Sequence, residues 1–194
     1  LRIELRDLEL EQGLLGLAEA LGCRRQVLLG YFGEAAEPCG NCDLCDRPAQ
    51  LFDATEAVRK ALSAILRTGE WFGAGHLIDI LTGSATAKVR ERGHDQLPTF
   101  AVGKDLSKPA WGAVFRQMMG RDLVRPDPDR HGALRMTDAA RPVLRGEATV
   151  TLRRDTVVSA GEREPVVRAQ VADEDLGLLA ALKARRRALA EAQN

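Results

Sequence analysis

All four cysteines of this 194-residue chain fall between Cys23 and Cys45, in the spacing C-x15-C-x2-C-x2-C. The start, Leu1-Arg2-Ile3-Glu4, has neither a basic head nor a hydrophobic stretch for secretion, and no apolar run is long enough to cross a bilayer, so a cytoplasmic protein without a membrane partner is expected. Thiols in that compartment stay reduced, and thiols clustered this tightly are there to hold a metal. Zinc takes four ligands at tetrahedral corners, about 2.3 Å from each sulfur, and a C-x2-C step turns two thiolates toward one point. Gly40 and Asn41 supply the turn. Cys42 serves both short steps, so Cys39, Cys42 and Cys45 form a three-point knuckle that Cys23 must reach from an earlier helical element. That element is expected from Leu14, Leu15, Leu17, Ala18 and Leu21, followed by Val27, Leu28, Tyr31 and Phe32. An iron–sulfur cluster also uses four thiolates, but its usual run is C-x2-C-x2-C-x3-C-P, and here the fourth cysteine precedes the triplet. A site closed by four cysteines leaves no position for water, so a structural Zn2+ is expected, with no catalytic residue.

Hydrophobic residues make up 45% of the chain, enough for a packed core. The formal charge is zero overall but unevenly spread, at about −4 over residues 1–50, about +3 over 51–150 and about +1 beyond. In the basic middle segment, residues 55–67 place Val58, Leu62, Ile65 and Leu66 on one helical face. A second, shorter helix runs from Gly75 to Leu81 and is closed by Gly83. A third spans Pro109 to Met119, capped by Ser107, with Trp111, Val114, Phe115 and Met118 on its buried side. Two short strands, Asp122–Arg125 and Ala133–Met136, flank a turn from Pro126 to Gly132, and Thr137-Asp138 caps a last helix through Leu144. The expected fold is therefore mainly α with a small β-hairpin: a helical tetracysteine module over residues 1–50, then a winged helix-turn-helix domain over 51–150. Such domains bind duplex DNA through helix N-termini and basic side chains, and they also serve as dimerisation or docking modules. Lys88, Arg90, Arg92, Lys104, Lys108, Arg116 and Arg121, with Ser84 and Ser107 as phosphate donors, favour DNA.

Cys23-Arg24-Arg25 leading into Leu28-Leu29-Gly30-Tyr31-Phe32-Gly33-Glu34, then Pro38-Cys39-Gly40-Asn41-Cys42-Asp43-Leu44-Cys45, resembles the zinc-binding module of RecQ DNA helicases. Arg92-Gly93-His94-Asp95-Gln96-Leu97 and Ala139-Ala140-Arg141-Pro142-Val143-Leu144-Arg145-Gly146-Glu147 resemble the winged helix of bacterial members. The resemblance covers roughly residues 15–150. It implies the accessory region of an ATP-dependent helicase that translocates 3′ to 5′ and acts in DNA repair, recombination and replication, in a nucleoid-associated bacterial protein. It also implies RecA-like lobes in cis, which bind ATP and Mg2+. No G-x-x-x-x-G-K-[ST] loop occurs here, and Val102-Gly103-Lys104-Asp105 only echoes one, so this chain by itself is expected to hydrolyse nothing. Duplex or forked DNA is the implied partner; the alternative is docking of single-stranded-DNA-binding protein or another repair factor. By resemblance, Lys88 and Arg90 approach the DNA backbone, His94 either contacts phosphate or holds its turn, and Ser107, Lys108 and Trp111 open the recognition helix. Trp111 and Phe115 read as core, and His76 and His131 carry no assigned role. Some eukaryotic relatives part strands with a long hairpin bearing an aromatic tip; the turn here, Pro126 to Gly132, is short and has no such aromatic, so it is expected to grip or orient a duplex.

Residues 151–175 read as a polar linker with room for one strand, carrying short alternating patches at Val157-Val158 and Val166-Val167. Residues 176–194 read as a helix resembling the start of a helicase-and-RNase-D C-terminal domain. The chain's first and last residues point to a piece of something larger.

Overall fold

A computed structural model describes residue 10, residues 13–154 and residues 175–192. These fall into two compact units, one within residues 1–156 and one within 157–194. In the first unit, a helix through residues 13–18 leads to α1 (Arg24–Tyr31) and the single turn α2 (Asp43–Asp46). Then follow β1 (Leu51–Asp53), α3 (Thr55–Arg67), α4 (Ala74–Thr82), α5 (Ala87–Glu91), α6 (Lys108–Gly120), the hairpin β2 (Val124–Asp127) and β3 (Ala133–Met136), α7 (Arg141–Arg145) and β4 (Thr151–Arg153). The second unit contains α8 (Leu176–Ala192). Among the described residues, no helix is long and apolar enough to cross a membrane.

The expected helical periodicities of the middle segment appear as helices that share one core, except that Leu66, expected on the buried face of the first, is exposed. Val58, Ala61, Leu62 and Ile65 of α3, Leu77 and Leu81 of α4, and Trp111, Val114, Phe115 and Met118 of α6 are all buried together. The hairpin adds Val124 and Leu134 to it, and α7 adds Val143. Ser107 caps α6 by accepting from the Ala110 N–H at 3.3 Å. Gly83 ends α4 at φ 75, and a Cβ there would lie 2.8 Å from both Ala101 and Lys104, so only glycine lets the following loop close over the helix end. That loop satisfies the helix: the Ala101 and Gly103 N–H groups donate to the Ile80 and Leu81 carbonyls at 2.8 Å each.

Three elements refine or add to the expectations. Residues 151–153 are not linker: β4 pairs antiparallel with β1, Phe52 opposite Leu152, and Leu152 is fully buried. The buried amide of Gln117 holds β4 to α6, donating to the Arg153 carbonyl at 3.0 Å and accepting from the Arg153 N–H at 2.9 Å. The rest of the expected linker, with both valine patches, lies outside the described residues apart from Arg154 and Asp175. Secondly, the first hairpin strand runs on through Pro126 and Asp127, residues whose types favour a turn. Pro126 faces Leu134, whose N–H instead donates to the Phe72 carbonyl at 3.0 Å, so the missing proline N–H costs the ladder nothing. Thirdly, the basic stretch after Thr86, where the sequence predicts no element, is a short helix, α5, capped by the Thr86 hydroxyl and pinned by the buried Val89. Five residues are too few to show a helical period in sequence.

The cysteine module has almost no core: among described residues 13–50, only Ala20 and Cys23 are buried. Arg24 is its main polar clamp. It makes two bonds to the Asp43 carboxylate, at 2.7 and 2.9 Å, and also donates to the carbonyls of Leu17 and Ala18. Glu19 then joins the module to the winged helix through Arg116 at 3.3 Å and Arg153 at 2.9 Å. Gly120 packs there too: a Cβ on it would sit 3.2 Å from the Leu15 carbonyl.

Candidate metal centre and nucleic-acid interface

The four cysteine sulfurs lie within 4.8 Å of one another. Cys23 precedes the first turn of α1, Cys42 precedes α2, and Cys45 lies one turn further on. The Cys42–Cys45 and Cys39–Cys45 sulfur separations are 3.5 and 3.9 Å. A ZnS4 tetrahedron with bonds of about 2.3 Å has edges of about 3.8 Å, so the cluster matches that donor set. A disulfide would need about 2.05 Å between sulfurs. Electrostatics point the same way. The Cys39 N–H donates to Cys23 Sγ at 3.3 Å, and with a second backbone donor at Gln26 this lowers the Cys23 thiol to about 6. The hydrogen bond with Cys42 pushes Cys45 up to about 11. Four close sulfurs thus retain a proton until a cation balances them. Cys23, Cys39, Cys42 and Cys45 form a structural zinc site in which the ion ties α1 to the knuckle.

The residues singled out for DNA contact divide into two groups. One surrounds α4. Lys88 Nζ and Arg92 Cζ lie 5.5 and 6.0 Å from the centre of the Phe72 ring, and Phe72 stacks on His76 of α4 at 4.2 Å. His94 packs against both rings, with its Nδ1 2.8 Å from His76 Nε2. Lys104 reaches Gly83 at the end of α4, and Lys108 pairs with Asp79 on its flank. Arg90 lies on α5 with Lys88. Lys88, Arg90, Arg92, Lys104, Ser107 and Lys108 are exposed. The second group, Arg116 and Arg121, lies toward the other end of α6, where Arg116 pairs with Glu19. Ser84 bonds to the Thr82 hydroxyl at 3.2 Å. Trp111 and Phe115 are core, as expected.

Sequence reasoning missed His76. Its partner is 18 residues away, and only the fold brings the two rings together. Burial, followed by the charges of His94 and Lys88, lowers His76 from the ordinary 6.5 to about 4. An unfolded chain therefore takes up a proton between these values that the folded protein refuses. Stability should fall as the pH drops from about 6.5 to about 4, by about 1 to 2 kcal/mol for a half-buried ring screened by solvent. Urea melts across this range should show the loss for the natural chain and a flatter profile for His76→Gln.

Comparison with known proteins fits this geometry. The RecQ zinc-binding family matches residues 4–46, and the RQC domain family matches residues 48–160. The chain belongs to the RecQ family. It is 35% identical over 185 residues to the ATP-dependent DNA helicase RecQ of Pasteurella multocida, covering 94% of this chain and 29% of that protein. It is 36% identical over 181 residues to the RecQ of Haemophilus influenzae, covering 91% and 29%. A match to the Bacillus subtilis RecQ has 28% identity over 178 residues. The chain spans under a third of the length of these RecQ relatives.

Proposed function

We propose that this RecQ region is the DNA-binding accessory part of an ATP-dependent 3′–5′ helicase acting in repair, recombination and replication. In this reading ATP and Mg2+ act in RecA-like lobes outside the chain. The zinc module, residues 1–50, braces the winged helix, 51–150, and α8 opens a further helical domain. The winged helix grips duplex or forked DNA through the phosphate backbone, without reading sequence.

One observation carries the DNA assignment. Lys88, Arg90, Arg92 and Lys104 are exposed in the region around α4, and among the described residues none of them is ion-paired with a carboxylate. Exposed cations without a carboxylate partner, gathered around one helix, favour a polyanion, since each phosphate contact releases condensed counterions. Arg116 is committed to Glu19 and Lys108 to Asp79, so their expected contribution is smaller.

The test is a titration of the zinc-loaded chain against duplex, fork and single strand at two or more salt concentrations. Replacing Lys88, Arg90 and Arg92 together by alanine should weaken duplex binding and make the log–log salt slope shallower by about 0.9 for each phosphate no longer neutralised, about 2 to 3 in all. Unchanged affinity and slope would refute the grip. Absence of DNA binding at low salt would favour docking of single-stranded-DNA-binding protein or another repair factor.

A further inference from the structure

The wing turn carries no Phe, Tyr or Trp, but the fold places a tryptophan beside it. Trp71 follows α3 and is 61% exposed, whereas the other tryptophan, Trp111, is fully buried. The Arg130 guanidinium, from the wing turn, lies over the Trp71 ring at 3.9 Å from its centre. Both neighbours of Trp71 are tied to the second wing strand. The Met136 N–H donates to Glu70 Oε1 at 2.8 Å, and the Leu134 N–H donates to the Phe72 carbonyl at 3.0 Å. Glu70 adopts φ 59, a left-handed conformation unusual outside glycine, and its own N–H donates to the Ile65 carbonyl at 3.0 Å. The large exposed ring is therefore held rigidly beside the wing.

The geometry points to Trp71 as a stacking platform for an unpaired or terminal nucleobase beside the duplex held by the winged helix. This rests on the DNA-binding reading above. Arg130 stands over one face of the indole, and a base on the opposite face would complete a sandwich of guanidinium, indole and base. Every base presents a π-face, so such a contact is indifferent to sequence. The surroundings favour a base over a protein anchor. A protein hot spot sits in a desolvated apolar patch, whereas this ring is 61% exposed and carries the Arg130 cation over one face. The next residue, Phe72, carries Lys88 and Arg92 near its ring, so the cations assigned to phosphate lie against the neighbouring side chain in the sequence.

The two tryptophans make the test direct, because a stacked base quenches an exposed indole and leaves buried Trp111 unaffected. The zinc-loaded chain is titrated with a blunt duplex and with the same duplex carrying a single-stranded thymidine tail, following DNA anisotropy and tryptophan emission together. Tailed DNA should quench the emission. Trp71→Phe should keep most of the affinity but lose the quench. Trp71→Ala should bind tailed DNA about 5- to 100-fold more weakly, with little change for blunt duplex. Wild-type affinity for tailed DNA in Trp71→Ala overturns the platform, as does bound tailed DNA that leaves emission unchanged. Quenching by single-stranded-DNA-binding protein but not by DNA overturns it in favour of a protein contact. Quenching by tailed DNA without binding of blunt duplex supports the platform and overturns the duplex grip.

Discussion

Removing the zinc should unfold the cysteine module while the winged helix stays folded. Among described residues 13–50 only Ala20 and Cys23 are buried, which is far too little apolar surface to offset the conformational entropy of ordering the segment. A structural zinc site contributes about 10 to 16 kcal/mol of apparent binding energy in small zinc-dependent domains, and that energy becomes folding energy. The winged helix needs no such help, since its core runs from Ala54 to Leu152 without a residue from the module. Two intrinsic probes separate the outcomes: the sole tyrosine, Tyr31, lies in α1, and Trp111 lies in the winged-helix core. Chelation, or Cys45→Ser, should abolish protease resistance over the module and free Tyr31, while Trp111 keeps its buried emission. An apo protein with unchanged circular dichroism and proteolysis would refute this account. The Glu19 bridges to Arg116 and Arg153 would be lost with the module, so the winged helix should lose its attachment there as well as a neighbour.

The second large effect is expected at Trp111. Its side chain is fully buried, and its Nε1–H donates to the Gly103 carbonyl at 2.7 Å. A Cβ on Gly103 would fall 2.5 Å from the indole, so ring and loop fit face to face with no room to spare. Trp111→Ala removes this packing and should cost about 3 to 5 kcal/mol. Trp111→Phe keeps much of the packing and loses the hydrogen bond, so it should cost less, about 1 to 2 kcal/mol. Denaturant melts followed by circular dichroism measure both. Equal stability of Trp111→Ala and the natural chain would show that α6 is not the centre of this core.

Gly103 also shows how a sequence pattern acquires its meaning from packing. In Val102-Gly103-Lys104-Asp105 it only echoes a phosphate-binding loop, while in the fold it makes room for an indole eight residues further on. The long amphipathic helices were legible because burial on one face imposes a period of 3.6 residues on the sequence. Their caps were legible as well: Ser107 and Gly83 stand where a first N–H or a left-handed turn is needed. The zinc ligands were readable because coordination geometry demands a fixed residue type at fixed short steps. Less was readable where an element is short or its partner is distant. Helix α5 is too brief for a period, and β4 reads as linker because its partner β1 lies about a hundred residues earlier.

By itself, then, the sequence determined the zinc donor set, the three main helices and the family resemblance, all set by local spacing or residue type. Only the tertiary structure decided that Arg116 pairs with Glu19, that His76 meets His94, and that Trp71 stands beside the wing under Arg130. Those pairings join side chains far apart in the chain. Their partners are chosen by how helices and hairpin pack, and short-range pattern carries no record of that.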